Sequence, residues 1–95
     1  AVIESEKKLE RKLKNQVEKM GGWCIKLLST HISGLPDRMC LLPKGVIFFV
    51  ELKTTKQKAR KIQLIIHDKI RKLGFEVYVV DTSEGINETL NKYKC

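Results

Sequence analysis

The stretch VIFFVELK, residues 46–53, decides the fold. Five apolar residues run into Glu51, Leu52 and Lys53. Side chains alternate across a strand, so Ile47, Phe49, Glu51 and Lys53 share one face, and Val50 and Leu52 point to the other. A strand that is apolar on both faces is central and buried. Charges that end such a strand need partners or a cation, unless they sit as a simple Glu–Lys pair at a solvated end.

Pro43–Lys44–Gly45 precede this strand as a short turn, and residues 37–42 read as its partner, so the two make an antiparallel hairpin. Further upstream, residues 29–36, STHISGLP, are a loop punctuated by Ser, Gly and Pro, and residues 23–28, WCIKLL, are a strand. Residues 4–20 predict a helix. Leu9, Leu13, Val17 and Met20 form one stripe, Ser5 is a candidate cap, and Gly21–Gly22 end the run. Downstream, a polar segment over 54–57 leads into a second helix over 58–73, with Ile62, Ile65, Ile66, Ile70 and Leu73 as its core side. Gly74 stops that helix. Residues 75–80, FEVYVV, are a fourth strand, and residues 84–92 are expected to close the chain as a short helix.

The strand at 46–53, the long helix and the strand at 75–80 have the order and length of a right-handed crossover unit. The order α-β-β-β-α-β gives an α/β fold, with one mixed central sheet flanked by helices. The chain has 95 residues, read as one domain over 1–95, with 42% apolar and 32% charged residues. This is a globular balance. No apolar run is long enough to span a membrane. The opening AVIESEKKLERK lacks the apolar core of a secretory signal, so a cytoplasmic location is expected. Three cysteines, Cys24, Cys40 and Cys95, are too few and too widely spaced for a disulfide framework. The first two read as buried thiols. The net charge of +8 favours a polyanionic partner, nucleic acid above all.

The hairpin brings the chemistry together. Asp37 follows Pro36, which favours an extended chain at the strand mouth. The entry of one hairpin strand lies beside the exit of the other, so Asp37 and Glu51 are expected to be neighbours. Two such carboxylates repel unless a cation lies between them, and oxygen ligands suit Mg²⁺ or Mn²⁺. The main-chain oxygen of Leu52 can add a ligand. Lys53 is placed to orient a water nucleophile or to neutralise charge on an attacked phosphate, the chemistry of phosphodiester hydrolysis. Glu6 falls on the Leu9–Leu13–Val17 stripe, where a carboxylate is costly if neither paired nor ligating, unless it sits in a frayed, solvated first turn; Glu10 lies at the stripe's edge. The second helix also has a polar side, Arg60, Gln63, His67 and Arg71. Gln63 is a candidate to bond a phosphate or the lysine, while His67 reads as a partly buried helix histidine. His31 sits in the loop. The run KTTKQKARK, residues 53–61, carries five basic residues suited to phosphate contacts.

Four segments, SGLPDR at 33–38, FVELK at 49–53, KARKIQLIIH at 58–67 and LGFEVYVVD at 73–81, together with a first helix ending in GG, resemble the VRR-NUC domain. This family (virus-type replication-repair nuclease) is a branch of the PD-(D/E)XK nuclease superfamily, and the chain resembles its stand-alone, phage-like form. The resemblance implies a restriction-endonuclease-like sheet. It implies that Asp37 and Glu51 bind the metal, that Lys53 and Gln63 serve catalysis, and that Glu6, with Glu10 as the fallback, is the helix carboxylate. It further implies a Mg²⁺- or Mn²⁺-dependent, structure-selective DNA endonuclease acting on branched DNA such as four-way junctions. The implied enzyme is a homodimer without an organic cofactor, working in the host cytoplasm if phage-encoded. Where the family commonly has a glycine-containing turn after ELK, this chain has Thr54–Thr55–Lys56. The residues alone also admit a nucleic-acid-binding module without catalysis.

Overall fold

The computed structural model describes residues 3–54 and 57–94, so Thr55 and Lys56 of the turn after Lys53, and Cys95, lie outside the described residues. Helix α1 spans Glu6–Lys19, followed by strands β1 (Trp23–Lys26), β2 (Arg38–Leu42) and β3 (Val46–Leu52). Helix α2 (Lys61–Lys72), strand β4 (Glu76–Val80) and helix α3 (Ser83–Asn91) complete the order. The sheet runs β1-β2-β3-β4. Its first three strands are antiparallel, and β4 lies parallel to β3 after the α2 crossover. The expected α/β order and mixed sheet are therefore present, and β3 is an interior strand.

Local chemistry sets the boundaries. Ser5 is the α1 N-cap, its hydroxyl accepting the Lys8 backbone N–H at 3.2 Å. After the helix, Gly22 passes so close to β2 that a Cβ would lie 2.4 Å from the Leu41 carbonyl oxygen. Only glycine lets the chain turn from α1 into β1 at that separation.

Alternation in β3 divides the molecule. Phe48, Val50 and Leu52 join Cys24, Cys40, Leu42 and Val80 on one sheet face, beneath Leu9, Leu13 and Val17 of α1 and Ile86 and Leu90 of α3. Each such side chain contributes about 1.5–3 kcal/mol when taken from water. Tyr93 stacks on Phe48 at 4.4 Å, and its hydroxyl meets that of Tyr78 at 2.6 Å. Cys24 and Cys40 pair across β1 and β2 as buried free thiols.

The other face corrects one expectation. The buried residues of α2 are Gln63 and His67, whereas Ile62, Ile65 and Leu73 are exposed, Leu73 to 72%. Ile66 and Ile70 are half-buried. Apolar periodicity reports the more hydrophobic side of a helix. Here α2 lies against the part of the sheet that carries Glu51, and a buried carboxylate draws hydrogen-bond donors inward. Towards β1 and β2 the same face stays open, with Trp23 64% exposed. Among the described residues, no helix is long and apolar enough to cross a membrane.

Candidate active site

The β2–β3 register sets Arg38 opposite Val50, so the next position outward places Asp37 beside Glu51. Three features hold Asp37 there. Its main-chain oxygen accepts the Leu27 N–H at 2.9 Å, and its Oδ2 accepts the Leu52 N–H at 2.7 Å. The loop before it lies directly on α2, because a Cβ at Gly34 would sit 2.8 Å from the Ile62 carbonyl oxygen. Pro36, between that glycine and Asp37, is fully buried.

Glu51 is 1% exposed. Its Oε2 accepts from Gln63 Nε2 at 3.1 Å and lies 3.6 Å from Lys53 Nζ. Its Oε1 faces His67 Nε2 at 3.6 Å and has no hydrogen-bond partner. Burial, then the adjacent Asp37 carboxylate, pushes the Glu51 carboxyl up to about 8, and Lys53 only partly opposes this. Gln63 is held at both ends, since its Oε1 accepts the Arg60 backbone N–H at 2.8 Å. The residue that starts α2 thereby fixes an amide against Glu51.

His67 is more than the partly buried histidine expected from the sequence. It is wholly buried, and neither ring nitrogen has a hydrogen-bond partner. Burial, followed by the charges of Arg71 and Lys53, pushes its pKa down, which keeps the ring neutral beside Glu51.

The helix carboxylates separate. Glu6 is exposed in the first turn of α1, before the buried stripe begins at Leu9. Among the described residues, no three His, Cys, Asp or Glu side chains gather in a metal-holding arrangement, so Glu6 does not converge with Asp37 and Glu51. A position in register with a core stripe is buried only where the helix still overlies the sheet, and the first turn of α1 leaves Glu6 in solvent. Glu10 is the carboxylate that reaches the strand ends, bonding Arg38 and lying 3.5 Å from Lys26. Burial opposes its ionisation, but the Arg38 bond and charge, with Lys26, hold its carboxyl below the usual range.

Sequence reading passed over Arg38. The signal was parity: Arg38 shares the buried face of β2 with Cys40 and Leu42, and a buried guanidinium requires acceptors. It finds them in Glu10 and the Cys24 carbonyl.

Adjacent carboxylates, an orphaned buried oxygen on Glu51 and a neighbouring lysine fit a hard divalent cation. Two side-chain carboxylates leave most of an octahedral shell to main-chain oxygen, water and substrate, the habit of Mg²⁺.

No family model matches the chain. It is 38% identical over 79 residues to "Putative nuclease p44" of Acyrthosiphon pisum secondary endosymbiont phage 1, an alignment covering 83% of this chain and 85% of that protein. A solved structure described as a VRR_NUC domain superposes with a TM-score of 0.88 at 34% identity, covering 94% of this chain and 97% of its own. On the shared fold, the Asp37–Glu51 pairing and these two likenesses, the chain belongs to the VRR-NUC nuclease family.

Proposed function

We propose that the protein is a Mg²⁺- or Mn²⁺-dependent, structure-selective DNA endonuclease that hydrolyses phosphodiester bonds, with branched DNA such as four-way junctions among its substrates. The observation that carries this reading is the buried Glu51 carboxylate, crowded by Asp37 and flanked by Lys53, with one oxygen left without a donor. Asp37 and Glu51 would hold the cation, with the main-chain oxygen of Leu52 beside them. Bound there, a divalent ion supplies Lewis-acid stabilisation of the attacked phosphate and acidifies a water. Gln63 fixes Glu51 through Oε2, leaving Oε1 for the ion. Lys53, its side chain 12% exposed and its Nζ beside Glu51, would orient the nucleophile or balance charge on the phosphate. The +8 charge draws the DNA backbone in, without regard to base sequence.

The test is cleavage of linear, nicked, flap and four-way DNA with Mn²⁺ or Mg²⁺. Wild-type protein is expected to cut. Asp37→Ala is expected to lose on the order of 10³-fold in rate or more while still binding DNA. Wild-type protein that binds no metal by calorimetry and leaves every substrate intact would overturn the reading in favour of a non-catalytic binding module.

The proposal extends to a homodimer. A chain this short builds a modest core, and the open part of the sheet displays Trp23 and Ile47 as exposed apolar residues. A second copy seated on that face would present two sites to two strands. Sedimentation equilibrium is expected to give a dimer that Trp23→Ser weakens; a monomer at all concentrations would sink it. Cys24 and Cys40, the free thiols among the described residues, suit a reducing compartment such as the cytoplasm.

A further inference from the structure

We propose that the cleft between α1 and the β1–β2 strand ends is a second phosphate-binding surface, one that grips the backbone of a nucleic-acid duplex beyond the bond being cut. The choice of partner rests on the nuclease reading above. Lys7, Arg11 and Lys14 lie at spacings of four and three, which aligns them along one side of α1. Lys26, the last residue of β1, pairs with Arg38, the first of β2, and both line the same groove of about 360 Å³. Among these five cations stands one carboxylate, Glu10.

Arg38 is the feature that a merely solvated basic face would not need. Its side chain is only 10% exposed, yet Nε has no hydrogen-bond partner. Nη1 donates to the Cys24 carbonyl at 3.3 Å, and Nη2 donates to Glu10. A buried guanidinium with an idle N–H is costly. An anionic oxygen entering the groove would balance the charge that Glu10 leaves in surplus.

Charge and shape favour a nucleic-acid backbone over an anionic membrane. No large apolar residue is exposed anywhere on α1, so the helix has nothing to insert into lipid. From Lys7 to Lys14 the axis rises about 10 Å. Duplex DNA offers a charge every ~1.7 Å of its length, so several phosphates can face the stripe at once. Arg38 directly follows Asp37, and consecutive residues face opposite sides of a sheet. The groove and the carboxylates thus occupy one strand end on opposite faces. A duplex laid across that strand end could touch both.

The experiment is fluorescence anisotropy of a labelled duplex of roughly two helical turns, titrated in EDTA over a range of NaCl. The groove variant is Lys7→Gln/Arg11→Gln/Lys14→Gln. The control removes equal charge elsewhere with Lys69→Gln/Lys72→Gln/Lys94→Gln. All six positions are exposed, and circular dichroism melts check that both variants fold. The groove variant is expected to bind roughly tenfold more weakly or worse, with a log–log salt slope shallower by about 2–3, and the control to change less than about threefold. Equal losses in both variants would assign the effect to net charge and overturn the proposal. So would an unchanged affinity and slope in the groove variant. Phosphatidylserine vesicles that wild type binds as tightly as the duplex would replace it with a membrane surface. Because binding is measured without metal, a protein that binds this way but never cuts DNA defeats the nuclease reading alone. A protein that cuts normally, with unaltered binding in the groove variant, defeats the groove alone.

Discussion

On the α1–α3 side of the sheet, Phe48, Val50 and Leu52 of β3 meet Leu9, Leu13, Val17, Ile86 and Leu90, an apolar cluster built for cohesion. On the α2 side, the same strand presents Glu51 to Gln63, His67, Lys53 and the neighbouring Asp37. One strand therefore lies between a face that stabilises the fold and a face that opposes it. A carboxylate held out of water beside another carboxylate is tolerated because the first face supplies the cohesion. The contrast makes separable predictions, since a substitution on one face should move stability and on the other should move activity as well.

The largest effect belongs to the apolar face. Leu13→Ala removes a wholly buried side chain from the centre of the α1 stripe. It is expected to lower unfolding free energy by about 2–5 kcal/mol, a large part of what a domain of this size has. Urea denaturation measures it, and a loss under about 1 kcal/mol would mean that the cluster is not the cohesive unit described.

Next comes the amide that tethers the charged face. Gln63→Ala cuts the bonds to Glu51 Oε2 and to the Arg60 N–H together. A stability loss of about 1–3 kcal/mol is expected, since a buried carboxylate oxygen loses its donor. Cleavage should fall roughly ten- to a hundredfold, because Glu51 is no longer held in one orientation. Normal cleavage with lowered stability would reduce Gln63 to a structural role.

Residue parity explains why one face was legible in the sequence and the other only in part. Alternation along 46–53 placed Glu51 and Phe49 together, and hairpin geometry then placed Asp37 beside Glu51. Those inferences need only the two-residue period of a strand. Helix α2 defeated the same logic, because its isoleucines outnumber its buried polar residues while its orientation answers to Glu51. Glu6 and Glu10 both lay near the α1 stripe, and what separates them is Arg38, a partner twenty-eight positions beyond Glu10. Long-range pairing of that kind has no periodic trace in the chain.

A smaller effect, of opposite sign, tests whether the charged face opposes folding. Asp37→Asn can keep its bond to the Leu52 N–H through the remaining carbonyl oxygen, and its new N–H₂ can face Glu51 as a donor. The metal-free variant is expected to be more stable than wild type by about 1 kcal/mol while losing cleavage. The pH dependence follows from Glu51. Its folded-state value of about 8 exceeds its ordinary 4.5, so across that window the folded state holds a proton that the unfolded state has released. In EDTA, wild-type stability should therefore fall as pH rises from about 4.5 to 8. Removing the Asp37 charge should flatten that fall. Equal slopes in urea-denaturation series across the window would show that the two carboxylates are not coupled.

The smallest effect distinguishes the two helix carboxylates and reverses the pH signature. Glu10 is ionised against Arg38 and Lys26, with its carboxyl held below the ordinary 4.5. The stability that it contributes is complete above its unfolded value and is lost as pH falls through the folded one. Glu10→Gln should therefore cost about 0.5–1.5 kcal/mol near neutral pH and approach nothing in acid. That is the reverse of Glu51, whose ionisation weakens the metal-free fold. Glu6 is exposed in the first turn, so Glu6→Gln should stay within about 0.5 kcal/mol at any pH and leave cleavage unchanged within about twofold. If Glu6→Gln abolished cleavage while Glu10→Gln did not, the first turn of α1 would have to swing towards Asp37 when substrate binds. The division of labour between the faces would then hold only for the free protein.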